Sequence, residues 1–194
     1  NSEAMNKYGK MLEYGNGIPV NTEEAIKYYK MAIEKRNPNA MASYASMLFH
    51  GNGVPVNKEE GIKFYEMSAN KSSKDGLVEY ADILYNGDGV PVNKEKASKY
   101  YRDAGYRGNS DAMVRYALML EKGDGIPINK EEAIESYKNA IEKGNSSAMN
   151  NYGKMLERGD GITINKDEAI KYYKMAIEKG NTNAMTNYAN LIIK

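Results

Sequence analysis

Residues 15–20 read Gly-Asn-Gly-Ile-Pro-Val, residues 51–56 read Gly-Asn-Gly-Val-Pro-Val, and residues 87–92 read Gly-Asp-Gly-Val-Pro-Val. One short motif thus returns every 36 residues. Tyrosine returns at the same interval, at Tyr8, Tyr44, Tyr80, Tyr116, Tyr152 and Tyr188. A fixed interval of this length, without insertion or deletion, is typical of solenoid arrays whose units bury their apolar faces against one another. The sequence predicts a single array over residues 1–194, with units 1–36, 37–72, 73–108, 109–144 and 145–180 and a partial unit 181–194.

Each unit is predicted to contain two antiparallel helices. Recurring apolar residues in 40–48, and again in 25–33, are spaced as on one face of a helix. Asn37 followed by Pro38 is a typical helix start, and Asn21 stands three residues before Glu24, as in a capping box. The paired glycines between the two helices permit a turn with positive φ. The fold class is therefore an all-α solenoid of five helix pairs and one further helix.

Composition limits the possible functions. The chain has 27 basic and 26 acidic residues with interspersed signs, so no basic patch predicts nucleic acid binding. No apolar run is long enough to span a bilayer, and we expect no direct membrane insertion. Cysteine is absent, and the residues predict no metal and no cofactor. The compartment stays open, with the cytoplasm slightly favoured. Both ends fall at cut positions of the repeat, which predicts that the chain is part of a longer protein.

The repeat also resembles a known family. The residues that carry the resemblance are Ala4, Gly9, Met11, Gly15, Asn16, Gly17, Ile18, Pro19, Ala25, and Tyr28 to Ile33. They are similar to the Sel1-like repeat, a relative of the tetratricopeptide repeat, and the match recurs in every unit. This resemblance implies a right-handed superhelix whose concave wall is lined by the first helix of each unit. It also implies an adaptor that binds proteins within complexes.

An enzymatic alternative comes from the same resemblance. Some cysteine-rich members of the family bind penicillin and resemble weak β-lactamases, and Ser68 with Lys71 fits a Ser-x-x-Lys motif. However, Ser68 stands where other units place a core alanine, and the partner motifs of such enzymes are missing. His50 occupies a position that varies among unrelated polar residues, which indicates a solvated side chain. We therefore expect a non-catalytic protein.

The binding hypothesis depends on positions that vary between units. On the first helices such positions are predicted to lie opposite the apolar stripe, where an extended peptide or a protein could bind. The predicted partner-binding residues combine apolar anchors, charges and amides: Phe49, Asp82, Tyr85, Arg115, Leu118, Asn150, Asn151 and Lys154. A third possibility is a purely architectural array that spaces or oligomerises other domains and binds nothing on this face.

Overall fold

The computed structural model describes residues 1–193, and these residues form eleven α-helices and no strand. The helices are α1 (Ser2–Tyr14), α2 (Thr22–Glu34), α3 (Pro38–His50), α4 (Lys58–Asn70), α5 (Lys74–Asn86), α6 (Lys94–Tyr106), α7 (Ser110–Lys122), α8 (Lys130–Glu142), α9 (Ser146–Arg158), α10 (Lys166–Glu178) and α11 (Thr182–Ile193). Odd-numbered helices are the first helices of the repeats, and even-numbered helices are the second. The predicted all-α solenoid is confirmed. Lys194, the last residue of the predicted partial unit, lies outside the described residues.

Local signals in the sequence account for the helix ends. Asn37 caps α3 by accepting a hydrogen bond from the backbone N–H of Ala40 at 2.9 Å. At the start of α2, the Asn21 side chain accepts from the Glu24 N–H at 3.0 Å and donates to the Glu24 carboxylate at 3.2 Å. Gly15 ends α1 with φ of 71°, a left-handed conformation that glycine adopts without a steric penalty.

The chain divides into two compact units, Asn1–Ala104 and Gly105–Lys194. In unit 1, α1 packs on α2 and α3 packs on α4, while α1 contacts α3 and α3 contacts α5. In unit 2, α7 packs on α8, α9 packs on α10, and α9 contacts α11. Within each unit, the first helices of neighbouring repeats are therefore adjacent to one another.

The core repeats one arrangement of small and aromatic side chains. In α2, Ala25 and Ala32 are completely buried on either side of the buried ring of Tyr29. The alanines allow close approach of the helices, and the tyrosine fills the remaining space. Within the second repeat, Tyr44 packs edge-on against Phe64 with the ring centroids 5.3 Å apart. The ammonium of Lys30, from the first repeat, lies 5.4 Å from the centroid of the Tyr44 ring and so connects the two repeats.

Candidate partner-binding surface

Two hollows lie on the face that α1, α3 and α5 form in unit 1. The α3–α5 hollow has a volume of about 100 Å³. Its lining comes from the end of α3, from α4, from α5 and from the turn after α5: Phe49, His50, Tyr65, Glu79, Asp82, Ile83, Asn86 and Asp88. Within the described part of the chain, no lysine or arginine lines this hollow.

The α1–α3 hollow is the second depression and has a volume of about 150 Å³. Ser43 and Ser46 of α3 leave this space because their side chains are short, and Lys10 of α1 and Asp75 of α5 border it. The Lys10 ammonium and the Asp75 carboxylate are 3.3 Å apart, so this ion pair joins the first and third repeats across the second. Both partners are partly exposed, and the pair therefore adds little to stability.

Tyr65 borders both hollows and belongs to a recurring set of tyrosines on the second helices. The members of this set are buried, and they are Tyr29, Tyr65, Tyr101, Tyr137 and Tyr173. In three repeats the hydroxyl donates to a glutamate near the end of the preceding first helix: Tyr29 to Glu13 at 2.6 Å, Tyr137 to Glu121 at 2.8 Å, and Tyr173 to Glu157 at 2.7 Å. In the third repeat, Tyr101 donates to Asp82 instead.

The second repeat lacks this carboxylate, because Phe49 occupies the position of Glu13. Among residues 1–193, Tyr65 donates to no carboxylate, although only 2% of its surface is exposed. Burial raises the pKa of Tyr65, nearby Ser46 lowers it, and the negative charge of Glu79 raises it. The hydroxyl is therefore neutral near pH 7, and the Tyr65 side chain borders both hollows.

The prediction that Phe49 projects from an exposed face is wrong. Only 7% of Phe49 is exposed, and its ring packs edge-on against Tyr65 with the centroids 6.1 Å apart. The Lys58 ammonium lies 4.9 Å from the Phe49 centroid and 2.7 Å from the Asp88 carboxylate. Phe49 belongs to the core because α4 covers the flank of α3 on which it lies.

Tyr85, at the same repeat position, is only half-buried. Its ring packs edge-on against Tyr101 at 6.4 Å, and the Lys94 ammonium lies 4.8 Å from its centroid. Asp82 is likewise half-buried and accepts the Tyr101 hydroxyl. Tyr85 and Asp82 thus keep part of their surface accessible, as predicted, while they also contribute to packing.

The predicted residues of unit 2 differ in accessibility. Arg115 is exposed, and Leu118, Asn151 and Lys154 are half-buried. Asn150 is only 7% exposed, so its expected place in an exposed ladder of amides is wrong. Its side-chain oxygen accepts from the Asn187 amide at 2.7 Å, and the equivalent contact in unit 1 joins Ser43 to Asn6 at 3.3 Å. Asn150 is buried because the first helix of the next repeat covers it.

Tyr65 and Ser46 are absent from the predicted set, although they border the hollows. Tyr65 looks like an ordinary core tyrosine because the same residue stands at that position in every repeat. The signal lies at the repeat position of the carboxylate acceptor. This position holds Glu13, Glu121 and Glu157 in the first, fourth and fifth repeats, but Phe49 in the second. Once the tyrosine–carboxylate contact is known, that replacement marks the repeat whose tyrosine has no carboxylate acceptor among residues 1–193.

None of the helices within residues 1–193 has the length and apolar character needed to cross a membrane. In the same residues, no three histidine, aspartate or glutamate side chains converge in a way that could hold a metal ion.

The family follows from the repeats themselves. The sequence model of the Sel1 repeat matches residues 2–37, 38–73, 75–109, 110–145 and 146–181. The chain belongs to the Sel1 repeat family. Sel1 repeat proteins are generally protein-interaction scaffolds and are typically not enzymes. No curated protein matches this Sel1 repeat chain.

Solved structures show the same fold. A Sel1 repeat protein from Oxalobacter formigenes is 29% identical over 100% of this chain and 79% of its own length, with a TM-score of 0.89. The protein c5321, a protective antigen present in uropathogenic Escherichia coli strains, displays an SLR fold and is 25% identical with a TM-score of 0.89. That match covers 98% of this Sel1 repeat chain but 41% of c5321.

A further solved structure with a similar fold is a cysteine-rich protein. Helicobacter pylori cysteine rich protein B is 24% identical over 65% of this chain and 90% of its own length, with a TM-score of 0.52. At that identity the likeness concerns the fold alone. In this chain Ser68 is completely buried, and its hydroxyl donates to the Pro38 carbonyl at 2.6 Å, while Lys71 is exposed. A nucleophile needs access to its substrate, which Ser68 does not have.

Proposed function

We propose that this chain is a non-catalytic interaction module that binds an extended peptide segment of a partner protein on its first helices. The observation that supports this proposal is the pair of adjacent hollows on α1, α3 and α5, which share Tyr65 and Glu79. Two neighbouring depressions on one face are suited to two side chains of one chain.

The size of the hollows favours a peptide over a small molecule. Their volumes of about 100 and 150 Å³ are well below the 300–1,000 Å³ of typical small-molecule sites. Both hollows open towards solvent and are bordered by carboxylates and hydroxyls, and the α3–α5 hollow is also bordered by the amide of Asn86. Such groups form hydrogen bonds with a peptide main chain and with polar side chains.

Each of the two units has candidate contact residues of its own. Tyr85 and Asp82 are half-buried on α5 and offer a ring edge and a carboxylate to a partner. In unit 2, Arg115 and Lys154 provide positive charges, Leu118 provides apolar area, and Asn151 provides an amide. We assign Asn150 an indirect part, since its contact with Asn187 fixes the spacing of α9 and α11. Phe49 acts from beneath by shaping the α3–α5 hollow.

A displayed library of random peptides, selected on the immobilised full chain, tests this function. Ser46→Trp fills the α1–α3 hollow with a large ring, and Lys63→Trp places the same ring on the exposed side of α4 as a matched control. Enriched peptides are expected to bind Ser46→Trp at least about tenfold more weakly than they bind the parent chain, because one modest contact is lost. They should bind Lys63→Trp as they bind the parent chain.

Two results would contradict the proposal. If no peptide is enriched, or if Ser46→Trp binds every enriched peptide normally, the face does not bind peptides and the architectural alternative is preferred. Circular dichroism and thermal unfolding of both variants must match the parent chain, because a misfolded Ser46→Trp would lose binding for an unrelated reason.

A further inference from the structure

Three asparagines of this chain are followed directly by glycine, and they are Asn16, Asn52 and Asn86. A glycine after asparagine lets the backbone approach the asparagine side chain closely, because glycine has no Cβ in the way. Asn16 and Asn52 lie in the turns after α1 and α3, whereas Asn86 is the last residue of α5. The same dipeptide therefore occurs in two different backbone environments.

The turn after α1 leaves Asn16 and Gly17 exposed to solvent. Among residues 1–193, neither the Asn16 side chain nor the Gly17 N–H has a hydrogen-bond partner. Asn52 and Gly53 are exposed in the same way after α3, and within the described chain the same two groups form no hydrogen bond there. In both turns the glycine nitrogen is therefore free to move towards the asparagine side chain.

The helical environment of Asn86 is different. Gly87 ends α5 with φ of 76°, and its N–H donates to the Ile83 carbonyl at 2.9 Å. The Gly87 nitrogen can leave this position only when the end of the helix opens, which costs free energy. Asn86 is therefore held away from the reaction described below, although its side chain is exposed.

We propose that Asn16 and Asn52 are sites of spontaneous deamidation in the folded chain and that α5 protects Asn86. The Gly17 backbone nitrogen forms a bond to the side-chain carbonyl carbon of Asn16. The bond from this carbon to the side-chain nitrogen breaks, and ammonia leaves with the proton of the Gly17 amide. Water then opens the resulting cyclic imide at either of its carbonyls, which gives aspartate or isoaspartate. Gly53 supplies the nitrogen for Asn52 in the same way.

The aspartate product adds negative charge to the turns and is compatible with the repeat. Asp88, Asp124 and Asp160 already occupy this position in the third, fourth and fifth repeats. Asp88 is 2.7 Å from the ammonium of Lys58 in the preceding repeat, but Thr22 stands at the equivalent position before Asn52. The new carboxylate at position 52 thus lacks this lysine, and reaction at both turns changes the formal net charge at pH 7 from +1 to −1. These turns lie outside the two hollows, so the inference is independent of the proposed function.

The test follows deamidation site by site in the full chain. The chain is incubated in mildly alkaline buffer prepared with water labelled with heavy oxygen, once folded and once in guanidinium chloride. Peptide mapping by mass spectrometry gives the rate at each pair, and the label identifies reaction during the incubation. The denatured rates correct for local sequence. In the folded chain, the corrected rates at Asn16 and Asn52 should exceed that at Asn86 by about tenfold, the cost of one backbone hydrogen bond and of opening the helix end.

Variants assign the change in charge. Isoelectric focusing of the incubated parent chain should show an acidic shift, and the double variant Asn16→Gln with Asn52→Gln should not, because the longer side chain forms the cyclic imide far more slowly. Asn86→Gln is the matched control and should shift like the parent. The double variant Asn16→Asp with Asn52→Asp has the aspartate product at both turns, and it should keep the helical circular dichroism and the unfolding midpoint of the parent.

Four results would overturn the proposal. Equal corrected rates at the three pairs in the folded chain would show that the fold does not select between them. Reaction in guanidinium chloride alone would show that the folded turns are protected as well. An acidic shift that persists in the double glutamine variant would assign the modification to other residues. Loss of helical structure in the double aspartate variant would show that the turns do not accept the product.

Discussion

Replacing the second-helix tyrosines by phenylalanine, one at a time, tests the most regular polar contact of the fold. Tyr137→Phe removes the hydroxyl that donates to Glu121 at 2.8 Å and leaves the ring in place. Tyr65→Phe removes an equally buried hydroxyl that has no carboxylate acceptor among the described residues. The two substitutions have the same size and the same repeat position, so their difference isolates the tyrosine–carboxylate hydrogen bond.

The expected magnitudes follow from the acceptors. A hydrogen bond to a charged group contributes about 1.5–3 kcal/mol, and a neutral one contributes about 0.5–1.5 kcal/mol. Glu121 is half-buried and can regain water, which places the cost of Tyr137→Phe near about 2 kcal/mol. Tyr65→Phe loses at most a neutral interaction with Ser46, and its cost should stay below about 1 kcal/mol.

Urea unfolding with hydrogen exchange is the appropriate assay, because repeat arrays can depart from two-state behaviour and exchange reports each helix pair separately. A double-mutant cycle of Tyr137→Phe and Glu121→Gln should give a coupling energy of about 1–2 kcal/mol. Equal losses at positions 65 and 137, together with a coupling near zero, would refute the reasoning. The carboxylates would then be bystanders, and the cost would arise from the ring environment that all five positions share.

Further predictions concern the backbone, the core and alkaline pH. Ser72 has φ of 63°, and Gly180 has φ of 82° at the same repeat position. Ser72→Gly should raise the free energy of unfolding in urea by about 0.5–1 kcal/mol because glycine adopts positive φ without strain. Gly180→Ser should lower it through backbone strain alone, since no atom lies within 4 Å of the added Cβ. Phe49→Ala should cost about 3 kcal/mol because the ring is buried, and an unchanged midpoint would mean that the ring is not part of the core. Burial and an adjacent carboxylate raise the pKa of Tyr29 and Tyr173 above the ordinary value of about 10, so the fold is stabilised by their neutral form below that pH and loses this stability as pH rises beyond it. Tyrosinate absorbance from these residues should appear together with the loss of helical circular dichroism, and its appearance in the folded chain would contradict the assignment.

Much of the fold could be predicted from the sequence because its determinants are local. Asn37 with Pro38 starts α3 where expected, and Gly15 closes α1 with a positive φ. The capping box also forms, but the Glu24 carboxylate accepts from the Asn21 side-chain amide. Each of these contacts joins residues within a few positions of one another, and a repeated local pattern therefore predicts them.

The accessibility of the binding face could not be predicted in the same way. Phe49 lies nine residues after Ala40, about 180° around the helix from it, and a single-helix projection therefore places Phe49 on the outside. In the structure, α4 covers that flank. Asn150 is hidden in a similar way, because Asn187 of the next repeat lies against it. A helix in a solenoid is contacted on several sides, and a projection of one helix leaves out these neighbours.

Two variable positions on the first helices together decide where a hollow forms. In the fourth repeat these positions are Leu118 and Glu121, three residues apart on α7. The Glu121 carboxylate accepts the hydroxyl of Tyr137 on the second helix, and Leu118 is a large residue. In the second repeat the glutamate is replaced by Phe49 and the residue three positions earlier is Ser46, so Tyr65 has no carboxylate acceptor and space opens beside the short Ser46 side chain. With both changes present, the second repeat has a hollow that the Tyr65 side chain borders. We therefore expect a partner to bind where two neighbouring residues, such as Ser46 and Phe49, both depart from the repeat pattern. A single exposed residue that departs from it, such as Arg115, is expected to contribute less to binding.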